Sequence, residues 1–282
     1  MTEPTIFRDP DAMRNWVLER RAAGERVGVV PTMGALHAGH VSLITAARET
    51  CDRTVATIFV NPTQFAPHED LAKYPRTFEQ DRARLAEVGT DAIFAPPVEA
   101  MYPAGFSTYV EPPSVAASLE GTIRPGHFRG VCTVVLKLFQ IVPADVAVFG
   151  AKDFQQALVI RRMVRDLALP IEIDVRPTVR EPDGLAMSSR NVYLSPDERR
   201  RALALSRALA EAAHRVASGE RSRTAVEQAM RAILEPEVDS IDYAVVAEPE
   251  SLECPARIEL PAVALIAARV GSTRLIDNRR LD

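Results

Sequence analysis

Residues 27–50 read VGVVPTMGALHAGHVSLITAARET. A short β-branched run, 27–30, is stopped by Pro31, and a loop carrying Gly34 and Gly39 follows. From His40 to Thr50, Val41, Leu43, Ile44 and Ala47 recur at helical spacing. A strand end, a glycine-bearing loop and a helix start turn backbone N–H groups and the positive end of the helix dipole toward an anion. The loop has no Gly-Lys-Ser/Thr, so it is not a P-loop. His37 and His40 take the place of the lysine. At the head of a helix, imidazoles can hydrogen-bond phosphate oxygens and follow charge as it develops in a transition state. Gly34 and Gly39 permit close backbone approach. Two other readings compete. An HxxH pair could hold zinc, but no third ligand is nearby and His68 is followed by an ordinary acidic turn. The segment could also be a structural turn with incidental histidines.

The same alternation extends in both directions. Asp9 as N-cap, Pro10 at the first helical position and Gly24 past the end predict a helix over 11–23. Residues 55–60 form a second buried strand ended by Asn61-Pro62, and Thr77 with Gln80 makes a capping-box pattern for a helix closing at Gly89. Strands at 92–94, 146–149 and 171–175 alternate with helices at 130–141 and, after an Asp153 cap, 154–168. Continuous apolar strands between helices predict an α/β fold, a Rossmann-like doubly wound parallel sheet covered on both faces. Ligands of such sheets sit beyond the carboxyl ends of the strands, here just after Val30, Val60 and Phe149. The pattern changes near Arg180. Ser195, Pro196 and Glu198 open a helix with Ala202, Leu205, Leu209, Ala212 and Val216 on one side, ended by Ser218-Gly219. A helix at 224–234 and strand-like runs at 241–247 and 262–270 complete a smaller α+β unit. The expected division is 1–180 for the sheet domain and 181–282 for a C-terminal lid domain.

Composition narrows the partners. Of 282 residues, 47% are apolar and 26% charged, ordinary for a globular protein, and 34 Lys+Arg against 38 Asp+Glu leave −4. That balance argues against nucleic acid and membrane surfaces as partners. The richest apolar stretches, 131–150 and 258–270, are interrupted or bounded by charged and polar residues and do not make a membrane span. Glu3, Arg8, Asp9 and Asp11 stand where a signal peptide needs an apolar stretch. Cys51, Cys132 and Cys254 are odd in number and far apart, so neither a disulfide framework nor a CxxC site is expected. A reduced, cytoplasmic setting fits best.

The HxGH after the first buried strand resembles the HIGH-type signature of the nucleotidylyltransferase superfamily, which includes class I aminoacyl-tRNA synthetases. The segments 31–40, FVNPTQF at 59–65, YPRT at 74–77, RPGHFRG at 124–130, FGAKDFQQ at 149–156 and MSSRN at 187–191 together resemble the pantothenate synthetase (pantoate–β-alanine ligase) family, in that family's order. The C-terminal third is similar mainly in length and pattern. Ala151, in place of an acidic residue, and Met187, in place of Leu, are departures that remove no donor the chemistry needs.

The resemblance implies a two-step ligation. The (R)-pantoate carboxylate attacks the α-phosphorus of ATP, giving pantoyl adenylate and pyrophosphate, and the β-alanine amine then displaces AMP. Mg2+ would accompany ATP as cofactor, with Asp81 as the candidate ligand, and a homodimer is implied. His37 and His40, with the Met33–Gly34 backbone, would hold ATP phosphates; His40 matches the family's proton donor, and phosphate binding alone is the other reading. Asn61 and Gln64 would recognise pantoate, Gln64 also meeting β-alanine, with Tyr74 supporting a gate. Gly150 would allow close approach of ATP, Lys152 would supply a charge to phosphate, and Asp153 would serve the ribose, the helix cap, or both. Gln156 would bind pantoate, whereas Gln155 points elsewhere by helical geometry and is structural. Arg124 is a candidate for phosphate or pantoate, against a solvated loop or a dimer contact. Met187, Ser188, Ser189 and Arg190 resemble the KMSKS-type loop that grips leaving pyrophosphate, at the inferred hinge where a moving lid belongs. Val179 aligns with a backbone contact to adenine. The rival reading is another adenylate-forming ligase or nucleotidyltransferase acting on a different small hydroxy acid.

Overall fold

The computed structural model describes residues 3–66 and 69–282; His68, weighed above for zinc, lies outside them. The chain divides into two compact units, Met1–Ala151 with Gln155–Pro177, and Lys152–Phe154 with Thr178–Asp282.

The first unit is built on six strands: β1 (Thr5–Phe7), β2 (Val27–Thr32), β3 (Arg53–Ile58), β4 (Ala92–Phe94), β5 (Val146–Gly150) and β6 (Glu172–Arg176). They run in the order β1-β4-β3-β2-β5-β6, and every pairing is parallel. From β2 the chain moves to β3 on one side, and from β5 to β6 on the other. The reversal between neighbours β2 and β5 makes the topological switch point, outside whose carboxyl ends ligands of such sheets bind. Flanking helices are α1 (Pro10–Ala22), α2 (Ala38–Thr50), α3 (Phe78–Glu87), α4 (Val98–Met101), α5 (Glu120–Ile123), α6 (His127–Ile141) and α7 (Phe154–Asp166). The Rossmann-like reading holds. Burial explains it: Val29, Val30, Val55, Ala56, Ile93, Ala147 and Val148 are inaccessible, as strands covered on both faces must be.

The second unit packs α8 (Pro196–Ala217) and α9 (Arg223–Leu234) with an antiparallel sheet of β7 (Ser240–Ala247), β8 (Ala262–Val270) and β9 (Thr273–Leu281). The side of α8 read from the sequence, Ala202, Leu205, Leu209, Ala212 and Val216, joins Val226, Met230 and alternate β8 residues in one core. The Ser195–Glu198 capping box forms: each partner's side chain accepts the other's backbone N–H.

Several local expectations are corrected. β2 does not stop at Pro31 but runs to Thr32. Its ladder with β5 covers only Gly28 and Val29, so on that side the missing proline N–H forfeits no bond. The second buried strand runs from Arg53 to Ile58 rather than over 55–60, because Asp91 takes Arg53 and the Thr54 N–H into the ladder end. Helix α6 starts at His127, one turn before Gly130. The Thr77–Gln80 capping box does not form; the Thr77 hydroxyl donates to Asp81 instead, at 3.1 Å. Strands β1 and β9 carry no clear sequence signal. β1 has three mostly exposed residues, and β9 interrupts its apolar side with Asp277 and buries Asn278 on the opposite face.

Candidate active site

The loop after β2 is held from below. Thr32 donates its hydroxyl to the Thr57 carbonyl and accepts from Gly34 N–H, so β2 and β3 fix its departure. Gly34 and Ala35 then adopt φ of +84° and +50°. A Cβ at Gly34 would sit 3.1 Å from both Asp81 Oδ2 and Ile58 Cγ2, so glycine answers both the dihedral and the space. The N–H groups of Ala35 and Leu36 donate to the two Asp81 oxygens at 2.9 and 2.8 Å. With Thr77 as a third donor and 1% exposure, Asp81 braces the loop, its two oxygens engaged by these three donors. Among the described residues, no group of three or more His, Cys, Asp or Glu side chains is arranged to hold a metal.

His37 is the N-cap of α2. Its Nδ1 accepts from Gly39 N–H at 3.1 Å, while His40 Nδ1 accepts from His37 N–H at 3.3 Å. Two rings thus form a capping box, centroids 4.1 Å apart. A ring nitrogen that accepts from a backbone N–H carries no proton, so in each neutral ring the proton is on Nε2. Both imidazoles therefore present an Nε2–H donor without needing to be charged.

Asn61 and the Pro62–Gln64 turn follow β3. Asn61 is buried, and its Nδ2 donates to Gln64 Oε1 (2.9 Å) and to the Gly130 carbonyl (3.3 Å). Its Oδ1 accepts from Tyr102 Oη at 2.8 Å and Thr63 Oγ1 at 3.0 Å. Both amide protons of Asn61 are thereby used inside the protein, and its visible work is to orient Gln64. Gln64 Nε2 lies 3.5 Å from Met33 Sδ, which joins this turn to the HxGH loop. A Cβ on Gly130 would fall 2.3 Å from the Thr63 carbonyl oxygen, so only glycine lets α6 lie against the turn. Tyr74 is buried with its ring edge-on to Phe65.

Arg124 is committed to a carboxylate. Its Nε and Nη2 donate to the two Glu69 oxygens at 2.6 and 2.9 Å, and Nη1 meets His127 Nε2 at 3.1 Å. His127 Nδ1 is 2.9 Å from the Gln64 carbonyl. Burial, then the Arg124 charge, push the His127 pKa down to about 4. These groups wall a concavity of about 320 Å³ with Gln64 and Tyr109. The first unit also carries Gly150, at the end of β5, and half-buried Gln156 on α7. Gln155 is structural: its Oε1 accepts from Glu120 N–H and its Nε2 donates to the Val115 and Ser118 carbonyls.

The second unit holds Lys152, Asp153, Val179 and residues 187–190. Lys152 and Asp153 lie in a 3-10 turn running directly into α7, and the Lys152 carbonyl accepts from Asn278 Nδ2 at 2.8 Å. Met187 N–H donates to the Val179 carbonyl (3.0 Å), and Arg180 pairs across this hairpin-like stretch with Ala186. Arg180 clamps Asp277 of β9 through two bonds of 2.7 and 2.9 Å, anchoring the stretch. Ser188 caps the turn Ser189–Tyr193 by accepting from Arg190 N–H, and Asn191 Nδ2 ties that turn to Glu181 and the Ala186 carbonyl.

Roles for His127, Glu69, Gly130 and Tyr102 emerge only from the structure. The RPGHFRG segment contains two of them, and the Arg124–His127 spacing was a usable signal. Nothing in the sequence points to Glu69 as the partner of Arg124.

A family model described as pantoate-beta-alanine ligase matches residues 5–280. The chain is 56% identical over 267 residues to pantothenate synthetase 1 of Bradyrhizobium diazoefficiens, 94% of each chain. It is 53% identical to the pantothenate synthetase of Rhodopirellula baltica over 98% of each. Among solved structures, the pantothenate synthetase of Thermus thermophilus superposes with a TM-score of 0.90 at 47% identity, covering 98% of both chains. A pantoate-beta-alanine ligase from Francisella tularensis, complexed with beta-gamma ATP and beta-alanine, gives 0.78 at 32% identity, covering 98% of this chain and 97% of that one.

Proposed function

The chain belongs to the pantoate–β-alanine ligase family and is an ATP-dependent ligase of pantoate and β-alanine; from that premise we propose how its residues divide the work. The pantoate carboxylate oxygen bonds to the α-phosphorus of ATP as the bond to pyrophosphate breaks. The β-alanine amine then bonds to the acyl carbon, loses a proton, and AMP leaves. Substrates supply both nucleophiles, so the protein's task is to orient them and stabilise phosphate charge.

The observation that carries this reading is the double imidazole cap. With both Nδ1 atoms accepting from backbone, the neutral rings of His37 and His40 carry their protons on Nε2 at the start of α2, where the helix dipole adds to them. We assign them, with the Met33–Gly34 backbone, to ATP phosphates; a neutral Nε2–H is already a hydrogen-bond donor, which favours phosphate contact for His40 over transfer of its proton. Gln64, steadied by Asn61, and Gln156 offer amides to the pantoate hydroxyls and carboxylate, Gln64 also to β-alanine. Tyr74 supports the gate, and Arg124 contributes through the groups it holds. In the second unit, Lys152, Ser188, Ser189 and Arg190 are assigned to phosphate oxygens, Asp153 to the ribose, and the backbone of Val179 and Met187 to adenine, with Gly150 admitting the nucleotide closely. Residues 187–190 would act as part of a lid.

Magnesium remains part of the proposal as ATP's companion. Asp81 does not fit it, so the ion would be carried by phosphate oxygens and water. A homodimer rests on the family resemblance and a cytoplasmic site of action on the three scattered cysteines and the charged N-terminal segment; among the described residues no helix is long and apolar enough to cross a membrane. The experiment is AMP release measured with each substrate omitted in turn, for the wild type and His40→Ala. AMP should require both pantoate and β-alanine, and the variant should lose about 10²- to 10³-fold in kcat while still unfolding cooperatively. Full turnover by the variant would remove the loop from the mechanism.

A further inference from the structure

His127 is a buried imidazole at the start of α6, and the mechanism above gives it no task. Its two neighbours settle its protonation. Arg124 can only donate, so His127 Nε2, 3.1 Å from Nη1, must accept. A backbone carbonyl can only accept, so Nδ1, 2.9 Å from Gln64 O, must donate. The ring is thus neutral with its one proton on Nδ1, the opposite tautomer to that of His37 and His40.

The bond to Gln64 completes a support on all sides of that residue. Its carbonyl also receives Arg124 Nη2 at 3.4 Å, its side-chain oxygen receives Asn61 Nδ2, and Gly130 lies against its backbone N. Glu69 holds Arg124 through two oxygens, and Glu120 lies 3.7 Å from Nη1 on the same helix turn. The charged groups facing the ring are therefore one guanidinium and two carboxylates, with the guanidinium in direct contact. The Phe128 ring, 5.0 Å away, is an apolar neighbour.

We propose that His127 is a positioning residue for Gln64: its Nδ1–H fixes the Gln64 peptide, and with it the amide that meets pantoate and β-alanine. This rests on the reading of Gln64 as a substrate contact. An Nδ1–H donor engaged by a carbonyl, and an Nε2 lone pair engaged by Arg124, leave the ring unable to take a substrate proton. Its effect passes through geometry.

The two halves of the ring can be tested separately. In His127→Asn the carboxamide nitrogen lies near the position of Nδ1 and keeps a donor toward Gln64. In His127→Gln the longer carboxamide reaches the position of Nε2, toward Arg124, and the donor to Gln64 is lost. His127→Gln and His127→Ala should raise KM for pantoate and β-alanine about tenfold or more, with KM for ATP changed less than about twofold; His127→Asn should recover most of the loss. Equal behaviour of the Asn and Gln variants, or unchanged KM values in all three, would overturn the proposal. Selective 15N-histidine NMR of the wild-type protein gives a readout independent of any variant's folding. One ring should show a protonated Nδ1 and bare Nε2 at pH 7 and remain so at pH 5.5. An imidazolium or an Nε2–H tautomer for His127 overturns the assignment. Gln64→Ala separates the two layers: if it leaves both KM values unchanged, the substrate role of Gln64 falls and the proposal with it. If it raises them while the Asn and Gln variants of His127 behave alike, Gln64 keeps its role and His127 loses its own.

Discussion

Burial and the Arg124 guanidinium act on the His127 proton in one direction, holding its pKa at about 4 against an ordinary 6.5. Between those values the unfolded chain binds a proton that the folded protein refuses. The contribution to stability is therefore full above about pH 6.5 and falls as pH drops toward 4, by about 3 kcal/mol at most. Glu69 adds a second loss at lower pH. Burial pushes its carboxyl up, but the Arg124 hydrogen bond and charge outweigh that and hold it below the usual range. Its contribution is present above the ordinary carboxylate value and disappears as pH falls through the lowered one. Urea denaturation at pH 7.5, 6.0 and 5.0 should show wild-type stability declining through this window, and a shallower decline in His127→Asn. Parallel declines would contradict the assignment. Single residues also mark where sequence reading falls short. The imidazole pair, Gln64 and residues 187–190 stand out in the sequence as candidates because each sits in a motif with its own chemistry. The bracing role of Asp81 is not legible, because its partners, Ala35 and Leu36, are 46 and 45 residues away, and a carboxylate on a helix looks the same whether it faces a metal or a loop.

At the level of elements, the site depends on how closely α6 approaches the turn after β3. Gly130→Ala would put a methyl group 2.3 Å from the Thr63 carbonyl oxygen and 2.7 Å from Gln64 N, against backbone with no rotamer to yield. The turn would have to move. Overpacking of this kind costs about 1–3 kcal/mol, and a displacement of about 1 Å at Gln64 should lower kcat/KM roughly 10²-fold. Steady-state kinetics with denaturation curves will show both losses; normal kcat/KM in a folded variant would mean that the turn is not part of the site. Elements with one periodicity are readable: the inaccessible strands, the amphipathic α8 and its cap. β9 is not, because Asp277 is buried within the strand, where Arg180 and the Asn278 N–H satisfy its carboxylate. Nor is the end of β2, since Pro31 stops a strand by rule and passes here because its side of the ladder is already finished.

For the whole molecule, a formal charge of −4 is compatible with the proposed phosphate contacts because these ask for a few donors and not for a basic surface: two imidazole N–H groups at the start of α2 in the first unit, and Lys152 and Arg190 in the second. The parallel order β1-β4-β3-β2-β5-β6 turns the carboxyl ends of β2 and β5 into neighbours, so the HxGH loop and Gly150 leave the sheet side by side. In the proposed reaction ATP binds there and the pantoate carboxylate is the nucleophile, so adenylation needs no protein nucleophile and differs from phosphoryl transfer to a substrate hydroxyl. The distinction lies in which phosphorus is attacked. The direct measurement is exchange of labelled pyrophosphate into ATP with β-alanine withheld. Adenylation at the α-phosphorus requires exchange that appears only when pantoate is added, followed by stoichiometric AMP once β-alanine is supplied. Steady ADP release with no pantoate-dependent exchange would contradict it.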